Sequence, residues 1–305
     1  MTARYLTGLL GYPLEHSFSP RLHAAALHAC GLDGEYRLFE VFPGVHSEET
    51  IQHLLAKVRA GEIHGLNVTI PYKQTVLAML DELTDSAAGI GAVNTIYLAS
   101  GKLVGENTDA GGFLSDLNHQ MAAATRAISQ PFSQTSVALV MGAGGSARAV
   151  VYALLQAGWH VWVAARRPGQ AEELALSLGA STGNALRLSA MELSPAVLTE
   201  WLTYSSVRLI VNTTPLGMVP NQDTSAWPEN VPFPRSAFLY DLVYNPAETA
   251  LMRAAMEAGL PVAGGLGMLL EQAMRAFVIW TSCTPSPQAM QQAIESLYQE
   301  RIRNS

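Results

Sequence analysis

Cysteine is nearly absent from this chain. Two residues in 305, Cys30 and Cys283, cannot build a disulfide framework, and cytosolic life is the simplest reading. Charge is sparse too, at 14% against 49% hydrophobic, which excludes a disordered chain and allows sizeable cores. Positive charge is in deficit: the formal net charge is −7, which argues against non-specific nucleic-acid binding. A few local cations can still hold an anionic small molecule. No apolar run reaches the roughly 20 residues of a membrane span. The run after Arg4 stops at Pro13 and Glu15 and does not read as a signal peptide. There is no low-complexity tract and no short-period repeat. What is left is one large domain or two ordinary ones.

What is present alternates strand and helix. Tyr5 to Leu10 reads as a strand, broken by Gly11 to Pro20, with Ser19 as the cap of a helix from Arg21 to Cys30. Tyr36 to Val41 is a strand, and Ser47 to Ala60 an amphipathic helix with Ile51, Leu54, Leu55 and Val58 on one face. Gly65 to Ile70 is a strand stopped by Pro71, and Lys73 to Leu80 starts another helix. Gly91 to Leu98 and Lys102 to Gly105 form a strand pair turning at Ala99 to Gly101. After Gly105 a helix runs to about His119, and 120–134 is a polar, partly helical connection. Beyond it strands are expected at Val137 to Met141, His160 to Ala164, Arg208 to Asn212, Ala237 to Val243 and Leu260 to Ala263. Helices are expected at Ala147 to Ala157, Gln170 to Leu178, Ala247 to Ala258, Met268 to Trp280 and Pro287 to Arg301. This is α/β throughout, and the second half has Rossmann order.

The stretch from Val137 to Tyr152 organises that half. A continuous apolar run suits a parallel strand buried on both faces. Gly142, Ala143, Gly144 and Gly145 then form a tight turn, and Ser146 and Ala147 enter a helix. The free N–H groups at such a turn make an anion site, usually for a pyrophosphate. The next strand ends in Ala164-Ala-Arg-Arg-Pro, where an acid about 20 residues after the glycine turn would bind the ribose hydroxyl of NAD. Arg166 and Arg167 stand there instead and suit a 2′-phosphate, which favours NADP; otherwise they are ordinary solvated charges.

Hydride exchange with an alcohol also moves a proton at oxygen. Lys73, after a strand end and a proline, is placed to give or take it, and Asp109 in a glycine-flanked turn to orient it. Ser17 and Ser19 read as a turn and a cap, or as two hydroxyls that hold a carboxylate. Asn67, Thr69 and Asn94 interrupt apolar runs, and a polyhydroxylated ligand would partner them. His16, His23, His28 and Cys30 cluster in sequence, but packing accounts for them better than a metal, and no metal is expected.

These segments resemble the shikimate dehydrogenase family over nearly the whole chain. The similarity lies in Gly11 to His23, Gly65 to Lys73, Ile90 to Thr95, Asn107 to Asp109, Gly142 to Arg148, Asn212 to Met218, Asp241 to Pro246 and Gly265 to Leu269, in the family's order. The resemblance implies that Lys73 and Asp109 are the catalytic pair and that Ser17 and Ser19 bind the substrate carboxylate. Asn67, Thr69, Asn94, Asp109, Tyr244 and Gln272 would meet its hydroxyls or ring. Gly142 to Ala147 would hold the pyrophosphate, Arg166 with Arg167 the 2′-phosphate, and Thr213, Met218, Leu242 and Gly265 the nicotinamide side. Ala165 and Arg167 replace the Asn and Thr of the family's Asn-Arg-Thr cofactor motif, Gln170 falls near a second family Arg, Ala24 stands where Asn is frequent, and Gly264 where Asp or Asn is.

It further implies a substrate domain of 1–112 plus 265–305 and an NADP-binding Rossmann domain of 113–264, with the last helices returning to the first domain. The expected activity is NADP-dependent reduction of 3-dehydroshikimate to shikimate, in the cytoplasm, as part of chorismate and aromatic amino-acid biosynthesis. A quinate or dual quinate/shikimate dehydrogenase is the enzyme alternative. A metabolite sensor without turnover is the other, and the intact Lys73 and Asp109 speak against it. No nucleic-acid or membrane partner is expected, and a homodimer is a candidate assembly.

Overall fold

The computed structural model describes residues 4–125 and 136–304. The chain divides into two compact units, Met1–Thr108 with Leu270–Ser305, and Asp109–Leu269. Each contains a six-stranded sheet.

The first unit runs β1 (Tyr5–Gly11), α1 (Ser19–Ala29), β2 (Gly34–Glu40), α2 (Ser47–Arg59), β3 (Gly65–Val68), β4 (Glu82–Leu83), α3 (Asp85–Ile90), β5 (Thr95–Ala99) and β6 (Lys102–Glu106). The strand order is β2-β1-β3-β5-β6-β4. β1 pairs in parallel with β2 and β3, while β5 is antiparallel to both β3 and β6. Strand periodicity sorts the side chains onto two faces. Leu10, Leu66, Val68 and Ile96 face the apolar stripe Ile51, Leu54, Leu55 and Val58 of α2, as the sequence pattern required. Leu9 and Tyr36 pack on the other face with Ala276 and Trp280 from the C-terminal region. There a Cβ on Gly65 would lie 2.1 Å from Trp280 Nε1, so only glycine fits under the indole.

The helix expected from Lys73 does not form. Val93 N–H donates to the Lys73 carbonyl at 2.7 Å, which removes an acceptor that a helix would use. Only a short 3-10 turn, Thr75–Met79, follows. β4 and α3 are too short for a periodic pattern. α3 is set by its ends: Thr84 accepts from Ala87 N–H, and Gly91 closes it at φ 67°. The expected hairpin turns at Ser100 and Gly101, with φ 50° and 77°.

The second unit runs α4 (Thr108–Thr125), β7 (Val137–Met141), α5 (Gly145–Gln156), β8 (His160–Ala165), α6 (Pro168–Thr182), β9 (Leu188–Glu192), α7 (Pro195–Leu202), β10 (Val207–Asn212), β11 (Phe238–Asp241), α8 (Ala250–Glu257) and β12 (Val262–Gly264). α9 (Leu266–Thr281) starts in this unit and continues into the first, followed by α10 (Pro287–Asn304). All neighbouring strands are parallel, in the order β12-β11-β10-β7-β8-β9. Read from the far edge this is the doubly wound Rossmann order, with its switch point between β7 and β10. Edge strand β9 and helix α7 were not expected; each is a short segment with weak periodicity. α4 runs past His119 to Thr125, and the rest of the expected 120–134 connection, 126–135, lies outside the described residues.

The two cysteines do not carry the reading drawn from them. Cys30 and Cys283 form a disulfide across 253 positions of sequence, within the first unit. The fold brings the C-terminal cap of α1 beside the segment between α9 and α10, with a Cα–Cα distance of 6.5 Å. The cysteine count therefore gives no support to a reducing compartment. Among the described residues no helix is long and apolar enough to cross a membrane.

Candidate functional site

Two sets of sequence-identified residues gather, one in each unit. In the first unit they sit where β3 and β5 meet. Alternation along β3 puts Asn67 on the face opposite Leu66 and Val68. Asn67 is buried, and its amide nitrogen donates to Asn94 O at 3.1 Å and Thr95 Oγ1 at 3.2 Å. The Thr95 hydroxyl donates to Asn94 Oδ1 at 3.0 Å, and Thr108 N–H donates to the same oxygen at 2.8 Å. Asn94 Nδ2 in turn donates to Thr108 Oγ1 at 2.9 Å. Thr95 and Thr108, absent from the residues picked out in the sequence, thus join the same hydrogen-bonded cluster. Their only signal was a Thr beside each of two buried Asn residues.

Lys73 borders this cluster, because its carbonyl is bonded to Val93, the neighbour of Asn94. It is half-buried, whereas Asp109, in the first turn of α4, is 5% exposed and belongs to the second unit. Thr69 is half-buried after β3, its N–H bonded to Leu10 O at 2.8 Å. Gln272, on α9, is buried in the first unit, and Tyr244 is half-buried in the second. Ser19 is not the cap of α1. The N-cap is Phe18, without a side-chain bond, and Ser17 Oγ instead accepts from Ser19 N–H at 3.2 Å. The reason is register: Ser19 already has helical backbone, so its neighbour upstream takes the free N–H.

In the second unit, β7 ends at the switch point. Gly142 has φ 113°, a conformation that excludes side chains, and an added Cβ would meet Thr213 Oγ1 at 2.5 Å. Thr213 donates from both its N–H and its hydroxyl to Met141 O, at 2.9 and 2.7 Å, so β10 clamps the turn. Gly144 is the N-cap of α5 and offers no side-chain acceptor; a Cβ there would meet nothing within 4 Å. Ala143, Gly145 and Ser146 are half-buried beside it, and Ala147 is buried. Uncapped N–H groups under open space fit a pyrophosphate. Arg166 and Arg167 are exposed after β8, and among the described residues neither is paired with a carboxylate. They fit a 2′-phosphate.

The loops expected to face the nicotinamide are held by a group that the sequence motifs contained but did not single out. Asp241 is fully buried at the end of β11. It accepts from Asn212 Nδ2 at 2.8 Å, Thr249 Oγ1 at 2.7 Å and Val243 N–H at 3.1 Å. Burial raises its carboxyl pKa, and those three donors oppose the rise. Leu242 N–H donates to Asn212 O, and Met218 N–H to Pro215 O, at 2.9 and 3.1 Å. A Cβ on Gly265 would lie 2.0 Å from Leu242 O, so these loops need glycine. Among the described residues no group of three or more His, Cys, Asp or Glu is placed to hold a metal.

Comparison with known proteins agrees along the chain. The profile "Shikimate dehydrogenase substrate binding domain" matches residues 9–96. "Shikimate 5'-dehydrogenase C-terminal domain" matches residues 265–295. A Salinibacter ruber protein named shikimate dehydrogenase (NADP(+)) is 42% identical, covering 90% of this chain and 92% of its own. The crystal structure of a Thermus thermophilus shikimate 5-dehydrogenase in complex with NADP(H) and shikimate superposes with TM-score 0.77 at 36% identity, covering 96% of this chain and 99% of that one. A Corynebacterium glutamicum quinate dehydrogenase in complex with NAD gives TM-score 0.81 at 30% identity, covering 96% and 99%.

Proposed function

We infer the activity from one premise: the chain belongs to the shikimate dehydrogenase family. We propose that it reversibly reduces 3-dehydroshikimate to shikimate with NADP as cofactor, in aromatic amino-acid biosynthesis by way of chorismate. The observation that carries this is the buried cluster of Asn67, Asn94, Thr95 and Thr108 beside Lys73, whose polar density suits a polyhydroxylated ring. The first unit serves as the substrate domain and the second as the NADP domain.

NADP, when bound, supplies or accepts the hydride. Lys73 gives a proton to the substrate oxygen in reduction and recovers it in oxidation. Asp109 orients the ammonium and the substrate hydroxyl. Ser17 and Ser19 hold the carboxylate, and Asn67, Thr69, Asn94, Tyr244 and Gln272 contact the ring and its hydroxyls. The turn Gly142 to Ala147 holds the pyrophosphate, and Arg166 with Arg167 the 2′-phosphate. Thr213, Met218, Leu242 and Gly265 line the nicotinamide side. We place the enzyme in the cytoplasm, as its biosynthetic reading requires, with the Cys30–Cys283 bond half-buried. Its partners are these small molecules, and its mass in solution tests for a homodimer.

The likeness to the Corynebacterium enzyme favours a second reading, turnover of quinate as well. Steady-state assays of shikimate and quinate, each with NADP and NAD, decide. Shikimate with NADP should give the highest kcat/KM. A quinate preference would install the second reading, and no turnover of either would leave a binding protein.

A further inference from the structure

Asn67 has fewer free hydrogen-bonding sites than its place in the cluster suggests. Its orientation is set by chemistry, since Asn94 O is a carbonyl and only accepts. The amide nitrogen of Asn67 must therefore face it, as it does at 3.1 Å. A flipped amide would set two acceptors against each other. The second N–H is engaged by Thr95 Oγ1 at 3.2 Å. Both donors of Asn67 thus point into the protein. Its Oδ1 receives the Tyr36 hydroxyl at 2.8 Å, a contact between two buried side chains on strands that are not neighbours. Among the described residues no second donor makes a hydrogen bond to Oδ1, so one lone pair is left, on a side chain that His23 also influences electrostatically.

Tyr36 is itself held from behind. The His23 ring stacks on it with centroids 4.2 Å apart and planes 1° from parallel. Trp280 tilts against both rings, at 5.4 Å from His23 and 6.4 Å from Tyr36. His23 is 1% exposed, and neither ring nitrogen has a hydrogen-bond partner. With no hydrogen-bond partner at either nitrogen among the described residues, the imidazole acts on Tyr36 through its ring face. Burial holds its pKa down to about 3, with the Asn67 side chain opposing, so the ring is neutral at working pH.

We propose that Tyr36, braced by His23, is a positioning residue that makes Asn67 an obligate acceptor, and that Asn67 reads a substrate hydroxyl that takes no part in the reaction. This rests on the substrate reading given above. The logic is one of polarity. The reacting oxygen is a hydroxyl donor in one direction and a carbonyl acceptor in the other, so an acceptor facing it would repel the ketone. A hydroxyl that stays a hydroxyl in substrate and product suits an acceptor in both directions. A site built this way rejects an analogue in which that hydroxyl is missing or oxidised.

The test is steady-state kinetics of wild type, Tyr36→Phe, His23→Phe and His23→Ala. The substrates are shikimate and two analogues, each lacking one of its non-reacting ring hydroxyls. Tyr36→Phe should raise the KM for shikimate about five- to tenfold and leave the KM for NADP unchanged, the scale of one lost hydrogen bond. That penalty should vanish with the single analogue lacking the hydroxyl read by Asn67. His23→Phe keeps a flat ring and should match wild type, while His23→Ala should imitate Tyr36→Phe. An unchanged shikimate KM in Tyr36→Phe, or an equal penalty with every analogue, overturns the proposal. If His23→Ala does not fold, the near-isosteric Tyr36→Phe decides alone. Wild-type turnover is the internal control: if it is absent the functional reading fails, and if it is present while Tyr36→Phe is silent only the positioning role fails.

Discussion

The two sheets present polar groups in opposite ways. In the second unit the strands are largely apolar: Tyr240 reaches Asp116 with its hydroxyl, Asn212 and Asp241 pair at the last residues of β10 and β11, and the other polar groups begin where the strands end, at Gly142, Thr213 and Leu242. Much of it is backbone, shaped by glycines that no other residue can replace. In the first unit buried polar side chains stand in the sheet itself: Tyr36 on β2, Asn67 on β3 and Thr95 on β5 satisfy one another. A parallel sheet covered on both faces tolerates no orphan polar group within it, so a ligand must bind beyond the strand ends. A mixed sheet can carry polar side chains inside if they form a complete network. One design suits a cofactor shared by many proteins. The other suits recognition of a particular ring.

Four changes sharpen or break this contrast. The largest effect belongs to the first unit: Lys73→Ala should lower kcat about 100- to 10 000-fold with little change in either KM. A loss through shikimate KM alone would make Lys73 a binding group. Next comes Gly142→Ala in the second unit, whose Cβ would lie 2.5 Å from Thr213 Oγ1. It should weaken NADP binding about tenfold or more while shikimate still protects the protein in a thermal shift. Weakened shikimate protection would show that the two units do not divide the work.

Two further changes act on stability and leave turnover and binding aside. Cys30→Ser should destabilise by about 2–4 kcal/mol, because the bond closes a long loop, and reductant should do the same to the wild type. Unchanged melting in both would make the bond irrelevant to folding. The effect that vanishes at neutral pH concerns His23, with a pKa of about 3 when folded against 6.5 when exposed. As pH falls below 6.5 the unfolded chain takes the proton and the folded one does not. Stability is therefore fully present above 6.5 and declines by about 1.4 kcal/mol per pH unit toward 3. Denaturation of His23→Phe across that range should show a flatter acid limb; an identical limb would mean that His23 is not what titrates.

The second unit was largely legible in advance. Strand Val137 to Met141, the glycine turn and the two arginines follow from local sequence, because backbone conformation and a helix start are set by neighbouring residues. The first unit was legible only in part. Asn67 and Asn94 stood out as polar breaks in apolar runs, yet their partners Tyr36 and Thr108 lie on other elements. The failed helix at Lys73 has the same origin, since its carbonyl is taken by Val93 from across the fold.

By itself, then, the sequence determined the α/β alternation, the apolar stripe of α2 and the Gly142 turn. Each depends on residues a few positions apart, within reach of strand and helix periodicity. Tertiary structure alone decided that Cys30 meets Cys283, that His23 stacks on Tyr36, and that both donors of Asn67 turn inward. Those outcomes depend on which faces are pressed together, and residues far apart in the chain carry no local mark of the partner they will find.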